Sequence, residues 1–156
     1  MAEYVGLLIG AARRRIKQSV LVRAGRHGLS AQQFWFLVAV AEAPGASQSE
    51  VCARLRSDPP TVSRVYAALE RRRLVRTAPD PADRRRTCLF LTIAGERLAP
   101  HLAASAREIR AAVTRGMSER EVDQLRRGLR RVVENLDRLV DGAVAPPSSG
   151  DGRRSA

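Results

Sequence analysis

The sequence has few of the residues that characterise disulfide-stabilised or membrane proteins. Its 156 residues include two cysteines, Cys52 and Cys88, without C-x-x-C spacing, which excludes a scaffold built on disulfides. The longest apolar run, residues 34–41, is far shorter than the roughly 18–20 residues that span a bilayer. Arginines follow the apolar stretch 4–12 instead of preceding it, unlike in a signal peptide. We therefore expect a cytoplasmic domain with no membrane partner.

Acidic residues are scarce relative to basic ones. The chain has 28 Lys+Arg against 16 Asp+Glu, a net charge of +12, and Lys17 is its single lysine. Residues 54–86 hold ten arginines against four acidic residues, which is half of the net charge in about a fifth of the chain. A solvated helix face could carry such charge, but clustered arginines are also typical of a surface that binds phosphate backbones.

Helical periodicity and capping signals cover most of the first half of the chain. Residues 3–24 place apolar side chains at steps of three and four, which predicts an amphipathic helix. Capping boxes predict helices over 34–43 and 47–55, through Ser30 with Gln33 and Ser47 with Glu50. Asp58 followed by Pro59 is a strong start signal for the next helix, which extends to about Arg72.

A hairpin and two long helices are predicted for the second half. Short β-prone runs at 74–77 and 87–92 flank a charged segment, which indicates a two-stranded hairpin with a polar tip. Thr92 can cap a helix over 93–115, and Ser118 with Glu121 can cap a last helix that carries an apolar stripe. The segment 142–156 has nothing to bury and is expected to be disordered.

A short helix, a tight turn, a capped second helix and a charged hairpin together describe a winged helix-turn-helix. The second helix of such a pair places its N-terminal residues in the major groove. That end offers base contacts from Pro60, Thr61, Ser63 and Arg64. Its free N–H groups would also donate to phosphates. The hairpin tip carries Arg84, Arg85 and Arg86, and a narrow minor groove attracts arginine. We predict binding of double-stranded DNA, with Arg71 as a further contact.

These segments resemble the MarR family of transcriptional regulators. The resemblance rests on residues 47–55, 61–64, 69–70, 74–75, 80–85 and 91–95, and the order of the helices extends it to nearly the whole chain except the tail. It implies a mainly α fold with a helical dimerisation domain (1–28 and 93–141), a winged helix-turn-helix (29–92) and a disordered tail (142–156).

The resemblance also implies roles for single residues. In the family's wing motif an aspartate orients the arginine two positions later for the minor groove, and the matching residues are Asp83 and Arg85. Pro60 and Arg64 match residues that meet bases in the SlyA branch. The chain departs from the family at Arg73, where many members have glycine after the recognition helix. Either the helix ends differently here, or Arg73 compensates through a phosphate contact.

The function predicted from the sequence is that of a sequence-specific regulator, in particular a ligand-responsive repressor. Two long amphipathic segments cannot bury their stripes in so small a domain without a partner, which favours a homodimer on a pseudo-palindromic operator. The alternative is a nonspecific RNA- or chromosome-associated protein. Aromatic residues make up only 4% of the chain, so the stacking platforms of such proteins are missing.

Other chemistry has little support in the sequence. No catalytic motif is present, and we expect no enzyme activity, cofactor or metal, since His27 and His101 lack ligands at suitable spacing. Both cysteines are interpreted as inert thiols in apolar surroundings. The aromatic residues 34–36 are expected to pack in the core, but Trp35 could instead line an effector cleft. Arg15, Trp35 and His101 are the candidate contacts for a small aromatic effector.

Overall fold

The computed structural model describes residues 3–144 as a mainly helical chain with one small antiparallel sheet. The elements are α1 (Val5–Gly25), α2 (Ala31–Glu42), α3 (Gln48–Leu55), α4 (Pro59–Arg71), β1 (Val75–Pro79), β2 (Thr87–Leu91), α5 (Ile93–Val113) and α6 (Glu119–Val144). A first compact unit ends at Val113, and a second begins at Thr114 and contains α6. This architecture confirms the predicted fold class.

The predicted capping signals start the helices in the structure. At α2 the backbone N–H of Gln33 donates to Ser30 Oγ (3.2 Å), and the N–H of Ser30 donates back to Gln33 Oε1 (2.9 Å). The same reciprocal pair forms at α3 between Ser47 and Glu50. These bonds satisfy N–H groups that have no partner within the helix. Each helix therefore begins within a few residues of its predicted position.

The hairpin is short, with five residues in each strand. Val75 lies opposite Leu91 and Pro79 opposite Thr87 in antiparallel register. At the middle of β2, the N–H of Gly45 donates to the Leu89 carbonyl (2.9 Å), and the N–H of Leu89 donates to the Ala46 carbonyl (2.8 Å). These bonds attach β2 to the loop between α2 and α3.

The core of the first unit is centred on α2. Phe34 and Phe36 are fully buried there, together with apolar side chains from α1, α4, β2 and α5: Val20, Leu69, Leu89 and Leu102. Helices α1 and α5 thus share one core with the helix-turn-helix segment, and the division into residues 29–92 and flanking helices stays a prediction. Core packing is confirmed for Phe34 and Phe36, while Trp35 is partly buried.

Two residues other than glycine adopt the left-handed conformation directly after helices in this unit. Arg73 follows α4 with φ 55°, and Arg56 follows α3 with φ 47°. The N–H of Leu74 donates to the Leu69 carbonyl (3.0 Å), a bond that closes the end of α4 as it does in helices that terminate with glycine. Arg73 therefore adopts the conformation that glycine favours, so the helix does not end differently.

The last helix is longer than predicted. It continues to Val144, three residues into the segment expected to be disordered, because no strong helix breaker occurs before Pro146 and Pro147. The remainder of that expectation, 145–156, lies outside the described residues. Among residues 3–144, no helix combines the length and apolar character needed to cross a bilayer.

Candidate nucleic-acid interface

Helix α4 buries one face and exposes the residues predicted to contact bases. Val62, Val65 and Leu69 point into the core, at the spacing of one helical face. Pro60, Ser63 and Arg64 are exposed, and Thr61 is half-buried. Arg64 Nη2 donates to Thr61 Oγ1 (3.0 Å), which holds the guanidinium close to the first turn of the helix. The structure therefore brings these four predicted residues together on one exposed end.

The expectation that this end supplies free N–H groups to phosphates is wrong. Its first two residues, Pro59 and Pro60, have no N–H. The N–H of Thr61 donates to Asp58 Oδ1 (2.9 Å), and that of Val62 donates to the Asp58 carbonyl (3.1 Å). The Thr61 N–H bond is the main cause that lowers the pKa of Asp58. Contacts to DNA from this end must therefore come from side chains.

The tip of the hairpin is a turn built on two aspartates. Asp83 Oδ1 accepts the backbone N–H of Arg85 (3.0 Å), and Asp80 Oδ1 accepts that of Ala82 (2.8 Å). The N–H of Arg86 closes the turn on the Asp83 carbonyl (2.9 Å). Asp83 thus acts on the backbone of Arg85 instead of its guanidinium. Arg84 and Arg85 are exposed at the tip, as predicted.

Arg86 does not extend from the tip as predicted. Its guanidinium lies 2.6 Å from Glu50 Oε2 on α3 and 3.4 Å from Asp80 Oδ2 in the hairpin. These carboxylates raise the pKa of Arg86, with the Glu50 hydrogen bond as the main cause. The side chain folds back because it can reach two acidic groups, one of them 36 positions away in the sequence. No local sequence signal indicates such a pairing.

The arginines at the other end of α4 have different environments. Arg71 is exposed at the last position of the helix, about 15 Å along the axis from Thr61 at 1.5 Å per residue. Arg72 donates to the carbonyls of Gly28 (2.8 Å) and His27 (3.0 Å), which ties the end of α4 to the loop after α1. The structure therefore does not bring Arg71 to the base-contacting end, and it gives Arg72 a structural role that the sequence did not indicate.

The three effector candidates lie in different surroundings. Arg15 lines a groove of about 300 Å³ between α1 and α5, whose lining includes Ile16 and Ile109. Trp35 packs edge-on against Phe34 (5.1 Å between ring centroids) and lies outside that lining. The His101 ring is 6.1 Å from that of His27, and it also lies outside the lining. The candidates therefore do not share this groove.

Both thiols have environments consistent with the interpretation of inert cysteines. Cys88 is buried on β2, and its pKa is raised, first by desolvation and then by the nearby carboxylate of Asp80. The Cys52 thiol donates to the Ser57 carbonyl (2.6 Å) at the turn between α3 and α4. Because the thiolate is the reactive form, a raised pKa disfavours reaction of Cys88 near neutral pH.

Helices α3 and α4, the turn between them and the hairpin that follows define a winged helix-turn-helix DNA-binding fold. Comparison with known proteins supports this assignment of the fold. A sequence model of the MarR family matches residues 27–86. The transcriptional repressor NicR of Pseudomonas putida is 31% identical over 109 residues, which cover 70% of this chain and 69% of NicR. The chain therefore belongs to the MarR family of DNA-binding transcriptional regulators.

Solved structures extend the similarity beyond the matched segment. A MarR family regulator from Listeria monocytogenes, solved in complex with a 26mer DNA, has a TM-score of 0.74 at 25% identity and covers 95% of this chain and 99% of its own. BpsR of Bordetella bronchiseptica, whose DNA binding is regulated by 6-hydroxynicotinic acid, has a TM-score of 0.67 at 28% identity and covers 84% of this chain and 99% of its own.

Proposed function

We propose that this protein is a repressor that binds a pseudo-palindromic operator as a homodimer. The observation that carries the proposal is the exposed first turn of α4, where Pro60, Thr61, Ser63 and Arg64 form a compact polar and basic end. Side chains at this end of a recognition helix can read base edges in the major groove, and arginine is suited to guanine. The repressor role is supported by the similarity to NicR.

Exposed apolar side chains on the terminal helices support the homodimer. At the start of α1, Tyr4, Val5, Leu7 and Leu8 are exposed. On α6, considered by itself, exposed residues recur at steps of three and four: Leu125, Leu129, Val133, Leu136, Leu139 and Val140. Apolar surface of this extent is uncommon on monomers and is typical of interaction sites. A two-fold dimer would present two recognition helices to half-sites about one DNA turn apart.

Selection of bound fragments from random duplex DNA tests this proposal, together with the mass of the protein in solution. We expect an inverted repeat and the mass of a dimer. A lack of any sequence motif would favour the nonspecific alternative, and a monomer mass at the concentrations that give binding would contradict the dimer.

The substitution Arg64→Ala tests whether Arg64 makes a sequence-specific contact to a base. We expect a loss of roughly 1–3 kcal/mol on the selected site and relaxed preference at one position per half-site. Arg71→Ala serves as the comparison, since a residue at the far end of α4 that contacts phosphate should weaken selected and random DNA alike. If Arg64→Ala also weakened both equally, Arg64 would be a backbone contact.

We further propose that the groove between α1 and α5 binds a small anionic aromatic effector. Ile16 and Ile109 supply apolar lining, and Arg15 supplies a positive charge suited to a carboxylate. BpsR, which responds to 6-hydroxynicotinic acid, makes that compound a suitable first probe. Trp35 and His101 stay predictions as additional contacts.

Arg15→Ala, Trp35→Phe and His101→Ala distinguish these candidates. We expect the probe to release operator DNA from the wild type, because an effector that binds the DNA-incompetent state better shifts the population toward it. Loss of this response in Arg15→Ala alone would support the groove. Loss only in the other two variants would place the effector elsewhere.

A further inference from the structure

The guanidinium of Arg86 connects two parts of the winged helix that are far apart in sequence. It bonds Glu50 Oε2 (2.6 Å) at the start of α3 and lies 3.4 Å from Asp80 Oδ2 in the hairpin. We call these three side chains, Arg86, Glu50 and Asp80, the wing clasp. The Arg86 side chain is 42% exposed, so this contact is accessible to solvent and to substitution without disturbing the core.

Both carboxylates of the wing clasp are fixed by other bonds. Glu50 Oε2 accepts the N–H of Ser47 (2.7 Å) and the Ser47 hydroxyl (3.0 Å) in the capping box of α3. The pKa of Glu50 is lowered by these two bonds and then by Arg86, so the group stays ionised. Asp80 is held through its other oxygen by the N–H of Ala82. Arg86 is therefore anchored between two preorganised acceptors.

The wing clasp also attaches the hairpin to the rest of the winged helix, nearer to the tip than its other contacts do. The other attachments lie at the middle of the hairpin: the backbone bonds between Leu89 and the loop residues Gly45 and Ala46, and the bond from the Tyr66 hydroxyl of α4 to Thr77 Oγ1 (3.4 Å). Arg86 lies three residues before Leu89, toward the tip, which is about 10 Å at the rise of an extended strand. A hairpin held only at its middle could still move at its outer end, whereas one that is also held near its tip has a fixed direction. Because Arg86 also closes the turn that carries Arg85, the wing clasp fixes the tip itself.

We infer that Arg86 is a positioning residue that holds the tip arginines at a set distance from the recognition helix, and that it does not itself contact DNA. The inference rests on the proposed function, since it assigns the wing tip to the DNA. It predicts that one substitution changes the DNA affinity in the direction opposite to that expected from charge alone. Removal of the negative charge of Glu50 should strengthen DNA binding if electrostatics alone mattered, but it should weaken binding if the wing clasp positions the tip.

Glu50→Gln is the central variant, because glutamine can still complete the capping box of α3. Arg86→Ala removes the other partner, and Arg84→Ala is the matched control, an exposed neighbouring arginine outside the wing clasp. We expect Glu50→Gln and Arg86→Ala each to weaken operator binding by about two- to five-fold, the range for an exposed ion pair. Neither should change the salt dependence, whereas Arg84→Ala should reduce its slope by about 0.9 if it contacts a phosphate.

Hydrogen exchange of the DNA-free protein separates this inference from the proposed function. The reporting amides are those of Asp80, Arg85 and Arg86, which donate within the tip. We expect these amides to exchange about two- to five-fold faster in Glu50→Gln and Arg86→Ala than in the wild type. Their exchange rates in Arg84→Ala should equal those of the wild type. The inference would be overturned by any one of three results. These are unchanged hydrogen exchange in Glu50→Gln and Arg86→Ala, tighter DNA binding by Glu50→Gln, and a reduced salt dependence of DNA binding in Arg86→Ala. Failure of every variant and the wild type to bind any selected site would instead refute the proposed function.

Discussion

Replacement of Arg73 by glycine should stabilise the protein. Arg73 has φ 55°, where a residue with a Cβ costs roughly 1–2 kcal/mol relative to glycine. The turn cannot easily relax, because the N–H of Arg73 donates to the Glu70 carbonyl (2.8 Å) and Thr92 Oγ1 donates to the Arg73 carbonyl (2.6 Å). Glycine gains freedom in the unfolded chain, which offsets about 0.4–1 kcal/mol. The net expectation is about 0.5–1 kcal/mol in favour of glycine.

Arg73→Ala is the control, since it removes the guanidinium but keeps the Cβ. Urea unfolding should show Arg73→Gly to be more stable than Arg73→Ala by about 0.5–1 kcal/mol, and thermal unfolding should show a Tm higher by about 1–4 °C for a chain of this size. The reasoning would be refuted if the two variants were equally stable, because strain at the left-handed residue predicts a difference between them. If Arg73 contacts a phosphate, both variants should lose operator affinity equally.

Three further outcomes follow from the geometry. Arg85→Ala should lower affinity most for operators with AT-rich flanks, where the minor groove is narrow, and equal losses on AT-rich and GC-rich flanks would refute the minor-groove contact. Gly95→Ala should destabilise the fold strongly, since a Cβ there would lie 2.2 Å from the Leu74 carbonyl oxygen, and an unchanged Tm would contradict this packing. Because the pKa of Asp58 is lowered in the fold, its contribution to stability is present above the usual aspartate pKa of ~4 and is lost as the pH falls through the folded value. Asp58→Asn should therefore lose less stability on acidification than the wild type, as acid titration of unfolding would measure.

The helices could be predicted from sequence because their signals are local. Ser30 with Gln33, Ser47 with Glu50, and Asp58 with the prolines after it each involve residues within one helical turn. A capping side chain bonds a backbone group two or three positions away, so the spacing alone encodes the interaction. The winged helix-turn-helix followed from the order of these elements and the β-prone runs.

The details of the interface could not be predicted, because they depend on distant contacts. Arg72 bonds the carbonyls of residues 27 and 28, more than 40 positions away, and Arg86 bonds Glu50 across 36 positions. The left-handed Arg56 has no signal either, since nothing in its residue type favours that conformation. The lack of free N–H donors at the start of α4 does follow from the sequence, because the two prolines have no N–H and the aspartate can accept the next one. It becomes evident only when a hydrogen-bond partner is sought for every backbone N–H of that turn.

The net charge of residues 54–86 therefore overstates the number of arginines that are available to bind DNA. Three of its ten arginines already bond carboxylates or backbone carbonyls within the protein: Arg54, Arg72 and Arg86. Five others form no ion pair or side-chain hydrogen bond within residues 3–144: Arg56, Arg71, Arg73, Arg84 and Arg85. An arginine that already bonds a carboxylate must lose that bond before it neutralises a phosphate, so it adds less to DNA affinity than an unpaired one. Net charge thus indicates the class of partner, whereas the contacts depend on which guanidinium groups the fold leaves unpaired.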